Sequence, residues 1–173
     1  RVVILTGLNA DYVSIVQNII LAGITPVAVP ISLYRINFMN VQSAGNLEVN
    51  AGDIFIRDAG GGTTRGIMTA GFGFLRQTQF TVPARKRFLI HSYMHSLNRP
   101  STIRDATLAF YIRFSMGIIR LNFEHSVNGT PITLQINPLA PAPEKSDIGI
   151  RCTDVSSANI PISSVIAGTL EDL

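Results

Sequence analysis

Leu33-Tyr34-Arg35-Ile36-Asn37-Phe38-Met39-Asn40-Val41 is the stretch that decides how this chain reads. Tyr34, Ile36 and Phe38 share one parity; Arg35, Asn37 and Met39 share the other. Successive side chains leave a strand on opposite faces, so such alternation is a strand signature. Residues 71–81 repeat it with Phe72, Phe74, Arg76, Thr78 and Phe80 on one parity. Working outward, residues 2–6 and 14–21 read as a hairpin around Asn9 and Asp11, and residues 53–57 and 63–69 as a second around Ala59-Gly60-Gly61-Gly62. Further strands are expected at 87–97, 106–114, 117–124, 130–136, 147–152 and 160–170, with a tight turn at 83–86. Asn128-Gly129 is a hairpin signal that should join 117–124 to 130–136. Residues 138–143, with three prolines, should break the ladder and cross an edge or the mouth of a sheet pair. The best helical competitor is 13–21, and its β-branched content argues for strand.

Many short strands without a sustained helical period imply an all-β chain. An isolated sheet leaves its apolar face wet, so the expected architecture is an antiparallel β-sandwich, jelly-roll-like, with a closed barrel second. The length suits a single domain over 1–173, with 1–30 as an N-terminal arm or edge hairpin.

Hydrophobic residues make up 46% of the chain and charged residues 14%, fewer charges than an ordinary monomer carries over its surface. Part of the surface is therefore expected to be buried against other chains. The net charge of +3 is uneven: residues 51–125 hold most of the arginines, and the stretch beyond 140 leans acidic through Glu144, Asp147, Asp154, Glu171 and Asp172. That asymmetry suits either a phosphate backbone or a neighbour's acidic tail. The single cysteine, Cys152, reads as a buried free thiol. No apolar run approaches membrane-spanning length. Arg1 to Leu5 has neither a methionine nor a signal-peptide layout, so the chain reads as a fragment or the ordered part of something longer.

No constellation points to catalysis. Asp53 and Asp58 stand about 16 Å apart on an extended strand, beyond the reach of a glycosidase pair. They face opposite sides, and Asp58 is expected to cap the glycine turn. His91 and His95 are about 13 Å apart on a strand, too far for one ion; with Tyr93 they should line one sheet face, and His125 stands alone. Gly60-Gly61-Gly62-Thr63-Thr64 lacks the lysine and following helix of a phosphate loop, and no serine sits in a nucleophile elbow. The chain therefore reads as a non-enzyme with no catalytic, metal or cofactor site. The interface candidates are Arg85, Lys86 and Arg87 at a hairpin tip, and Arg113 inside Phe110-Tyr111-Ile112-Arg113-Phe114. The triplet is read as a salt-bridging rim of an oligomer in preference to a nucleic-acid platform. Arg113 is read as exposed or paired with an acid across a chain boundary.

Four stretches in order carry a family resemblance: Leu33-Tyr34-Arg35-Ile36-Asn37 leading to Val41-Gln42-Ser43-Ala44-Gly45; Asn50-Ala51-Gly52-Asp53-Ile54-Phe55-Ile56-Arg57-Asp58; Gln79-Phe80-Thr81-Val82-Pro83-Ala84-Arg85-Lys86; and Pro143-Glu144-Lys145-Ser146-Asp147-Ile148 with the ending Glu171-Asp172-Leu173. Together they resemble a type of virion structural protein of tailed bacteriophages. Such proteins carry glycine where Arg85 stands. The resemblance implies a β-sandwich that decorates or cements a capsid, or a module of a fibre or neck. It implies self-association, as a trimer, contact with other virion proteins such as the major capsid protein, and residence in a virion assembled in the host cytoplasm. It implies no cofactor and no membrane partner. In a fibre, a host receptor or glycan would be met near Asn9, Asn46 and Asn98.

Overall fold

The computed structural model describes residues 1–44, 49–97, 105–128, 132–156 and 162–173. Apart from one short 3-10 turn, every regular element among them is a β-strand, and every strand pairing is antiparallel. No helix of the described residues is long and apolar enough to cross a membrane. The chain divides into two compact units, Arg1–Gln77 and Thr78–Leu173.

In the first unit, β1 (Val2–Leu8), β2 (Ser14–Ile20) and β3 (Arg35–Ser43) form a sheet in the order β2-β1-β3, and β4 (Ile54–Arg57) and β5 (Thr64–Met68) form a hairpin. Both hairpins stand where the turn residues place them. The Asn9 carboxamide oxygen accepts the N–H groups of Asp11 and Val13, an Asx turn that closes β1 onto β2. The 3-10 turn Ala59–Gly61 closes β4 onto β5. Val3, Leu5, Ile19 and Met39 pack with Met68 and Leu75 into one buried cluster.

The alternation in β3 does not run straight through. Thr6 pairs with Phe38 and Gly7 with Ile36, so Asn37 is an extra residue, a β-bulge. Ile36 therefore joins Met39 and Val41 against the core, and Phe38 turns out, 44% exposed. Gln77 donates from Nε2 to the carbonyls of Ile36 and Asn37, holding the bulge. A Cβ on Gly7 would sit 2.3 Å from the Arg35 carbonyl, so β3 approaches this closely only because residue 7 is glycine. Residues 71–81 also depart from expectation: only β6 (Gln79–Thr81) is a strand. Gly71 and Gly73 take positive φ, 80° and 71°, which breaks the extended run. What remains lies along β3, with Val41 N–H donating to Gly73 and Leu75 N–H to Met39.

The second unit holds a sheet in the order β10-β7-β12 and a sheet in the order β6-β11-β8-β9. Its strands are β6, β7 (Lys86–Leu97), β8 (Ala106–Arg113), β9 (Ile119–Val127), β10 (Ile132–Ala142), β11 (Asp147–Val155) and β12 (Ile162–Asp172). One buried cluster takes Ile90 and Ala142 from the first sheet and Leu108, Phe110, Ile112, Val127, Ile148 and Ile150 from the second. Three expectations are corrected here. β9 pairs with β8 and β10 with β7, so Asn128 leads from one sheet to the other and starts no hairpin; Gly129 lies outside the described residues. Ala140, Pro141 and Ala142 do pair, with Ile90, Leu89 and Phe88. β10 is an edge strand, so a proline there can turn its missing donor outward. Cys152 is exposed, because β11 leaves the core after Ile150 and every side chain from Arg151 to Val155 is exposed.

Asn50, 7% exposed, is the polar centre of the first unit. Its Nδ2 donates to the carbonyls of Gly52, Met68 and Thr69, at 2.9, 3.2 and 2.9 Å, and its Oδ1 accepts the Gly73 N–H at 2.9 Å. Asn50→Asp would turn a carboxylate oxygen toward three carbonyls, and urea unfolding is expected to show a loss of about 3 kcal/mol. An unchanged midpoint would contradict this role.

Candidate functional site

β7 also carries a bulge. Ser92 pairs with Ala167 and Ile90 with Gly168, so His91 is the extra residue. A Cβ on Gly168 would lie 2.4 Å from the Leu89 carbonyl and from the Phe88 ring, so glycine is again what permits the approach. The bulge separates residues expected to share a face. Tyr93 and His95 turn inward, 1% and 0% exposed, whereas His91 lies outside with its Nε2 3.1 Å from the Thr169 hydroxyl.

Tyr93 is the hub of the interior that results. Its ring stacks on Phe110 at 5.6 Å and on Phe123 at 5.7 Å, and meets His95 at 4.9 Å and His125 at 6.1 Å. Phe110 and Phe123 are themselves a cross-strand pair of β8 and β9. His125, expected to stand alone, thus lies beside Tyr93 and within electrostatic reach of His95. Among the described residues, three buried side-chain atoms here have no hydrogen-bond partner: Tyr93 Oη, His95 Nε2 and His125 Nε2. His95 Nδ1 is 3.0 Å from the Ser164 hydroxyl on β12. Burial, and then the neighbouring His125, hold the His95 imidazole below its usual range. Burial alone pushes the Tyr93 phenol up to about 12. Among the described residues no group of three or more His, Cys, Asp or Glu is placed to hold a metal ion.

The outer face of β6-β11-β8-β9 carries a shallow depression of about 160 Å³ lined by Gln79, Tyr111, Arg113, Ile119, Asp147 and Arg151. Tyr111 lies across Gly149, where a Cβ would come within 2.6 Å of the phenol oxygen. Burial, then the Asp147 carboxylate, raise the Tyr111 phenol, and Arg151 and Arg113 oppose them. Asp147, 4% exposed, accepts a 2.6 Å hydrogen bond from the Thr81 hydroxyl. Arg113 is opposite Asp147 in register and exposed at the rim.

The basic triplet meets the acidic tail of its own chain. Lys86 Nζ is 2.6 Å from Asp172, and Arg87 binds Glu171 through Nε at 3.0 Å and Nη2 at 2.9 Å. These are directly opposed residues of β7 and β12. Hydrogen bonding to Lys86 holds the Asp172 carboxyl below its usual range. Arg85 stands in the turn with φ 60°, the conformation that glycine takes most easily, and its N–H donates to Glu144 at 2.6 Å. Asp58 makes no side-chain cap on the glycine turn; it binds Arg65 through two bonds of 2.9 and 2.7 Å, and that contact lowers its pKa. Of the loop contacts considered for a glycan, Asn9 is occupied in its turn, and Asn46 and Asn98 lie outside the described residues.

A third surface has no counterpart among the sequence candidates. On the outer face of the first unit's sheet, the register aligns Ile20 with Val2, Asn18 with Ile4 and Asn40, and Val16 with Thr6 and Phe38. None of these is charged, and Val16 and Ile20 are 66% and 70% exposed. Period two marks both faces of such a strand, but only the placed core tells which face is left open.

Two outcomes are expected. His95 has a folded-state pKa below its unfolded value of about 6.5, so its contribution to stability is full above that pH and is lost as pH falls through the folded pKa. Tyr93 is shifted up, so its contribution is full below about pH 10 and is lost as pH rises through its folded value. Thermal unfolding against pH should therefore fall on both limbs, with the acid limb flattened in His95→Gln; equal acid limbs would contradict the assignment. Arg85→Gly relieves a left-handed residue and is expected to raise stability by about 1 kcal/mol in urea, after the greater unfolded freedom of glycine is subtracted. A loss would show that the Arg85 side chain contributes more than its strain costs.

Set against protein-family models, curated proteins and solved structures, the chain matches none of them.

Proposed function

We propose that this chain is a non-enzymatic structural subunit of a bacteriophage particle, a decoration or cement protein that stabilises a shell through subunit contacts. The uncharged, exposed sheet face of Val16, Ile20 and Phe38 carries the reading. An uncharged face that leaves Val16, Ile20 and Phe38 exposed among Thr6, Asn18 and Asn40 has the apolar-with-polar make-up of a surface that other protein covers. The low charge content and the resemblance in sequence support the same reading. The second unit then serves as the rigid body, a jelly-roll-like β-sandwich whose two sheets close on the shared core around Phe110. Partners on this reading are further copies of the chain and other virion proteins, the major capsid protein among them.

A second reading has one specific observation behind it. Arg113 and Arg151 line the depression that holds Tyr111, an arrangement suited to a sugar ring bearing an acidic group, as a receptor-binding fibre module would need. Arg113→Ala with Arg151→Ala should then abolish glycan binding with no change in particle stability.

Particles assembled without this chain are expected to rupture at lower temperature than complete ones, and imaging of intact particles should place its density on the shell. An unchanged rupture temperature, or density confined to the tail, would count against the cement reading.

A further inference from the structure

β2 is the open edge of its sheet. On the far side, β3 is covered by residues 73–75 through the Val41–Gly73 and Leu75–Met39 bonds. Among the described residues no backbone–backbone bond of that kind lies along β2; Ile31 meets it only through the Gln17 carboxamide, whose Nε2 donates to the Ile31 carbonyl and whose Oε1 accepts the Ile31 N–H. The flanking bonds Asn9 N–H to Val13 O and Leu21 N–H to Arg1 O set the phase of the β1–β2 ladder. Ile15, Gln17 and Ile19 therefore exchange hydrogen bonds with β1, and the backbone groups of Ser14, Val16, Asn18 and Ile20 point away from the sheet. Among the described residues those outward groups bond to nothing.

Edges of this kind are ordinarily guarded by a charge, a proline or a bulge, because an open row of N–H and C=O groups templates another strand. Ser14-Ile15-Val16-Gln17-Asn18-Ile19-Ile20 has no charge and no proline, and its pairing to β1 has no register shift. The edges of the second unit are better guarded. β9 carries Arg120 and Glu124, β10 carries Pro138 and Pro141, and the β12 ladder is broken at Ala167/Gly168.

We propose that the β2 edge is paired by β2 of a second copy of this chain, antiparallel across a two-fold axis at Gln17. The strand is complementary to itself in that register. Val16 comes opposite Asn18 of the second copy and Ser14 opposite Ile20, so all four outward-pointing residues become bonded pairs. Ile15 comes opposite Ile19 on the inner face, extending the apolar layer that holds Ile19. Two three-stranded sheets become one of six, and the uncharged outer face doubles in extent. The pairing is isologous and closes as a dimer, not as the three-fold ring that the resemblance implies. It rests on the self-association proposed above and names the surface that performs it.

The test uses the full chain. Sedimentation should show a dimer, and amides of Val16, Asn18 and Ile20 should exchange with deuterium more slowly as concentration rises. Val16→Lys with Asn18→Lys places like charges directly opposite twice and should weaken the dimer by about a hundredfold. Both positions are exposed, so its circular dichroism should be unchanged. Mixing it with Val16→Glu/Asn18→Glu should restore a heterodimer. A wild-type chain that stays monomeric overturns both the edge pairing and self-association. A chain that associates while those amides exchange freely, or whose association survives the lysines, overturns the edge pairing alone.

Discussion

A strand can change which side chains it buries only by slipping one residue against its partner, and this chain does so at Asn37 and at His91. Each slip is matched by a glycine on the opposing strand, Gly7 and Gly168, whose missing Cβ lets a carbonyl come within about 2.4 Å of where that carbon would be. The first slip puts Ile36 in the core and Phe38 on the surface. The second puts Tyr93 and His95 inside and leaves His91 out. Which side chains of β3 and β7 enter the core follows from these two steps.

The interior of the second unit is held by ring stacking centred on Tyr93, with imidazoles where aliphatic groups would pack as well. Unpartnered buried polar atoms are costly, and among the described residues they gather in one place. The cost rises when a proton is added to the His95 imidazole, which ties the unit's cohesion to conditions above its folded pKa. Charge in the second unit is concentrated where β7 meets β12 and around Tyr111, whereas the sheet of the first unit carries it only at Arg35, at the start of β3.

The charge asymmetry along the chain is answered in part within it. Lys86 and Arg87 reach Asp172 and Glu171 because β7 and β12 are neighbours, a fact no spacing in the sequence contains. Exposed pairs of this kind align strand ends more than they stabilise them. Lys86 and Arg87 are thereby less available to a neighbour.

Period-two alternation and turn residues by themselves determined that the chain is all-β, that pairing is antiparallel, and that Asn9 and Ala59-Gly60-Gly61 close the two early hairpins. Those features depend on residues near one another along the backbone, where local sterics suffice. The glycine that such turns favour was even legible as missing at Arg85, which takes φ 60° there. Partners of β9 and β10, the meeting of His95 with His125, the exposure of Cys152, and the face of β3 that is buried were decided only by tertiary structure. Each depends on which strands lie opposite and on a one-residue slip between them, and a single slip reverses every side chain beyond it.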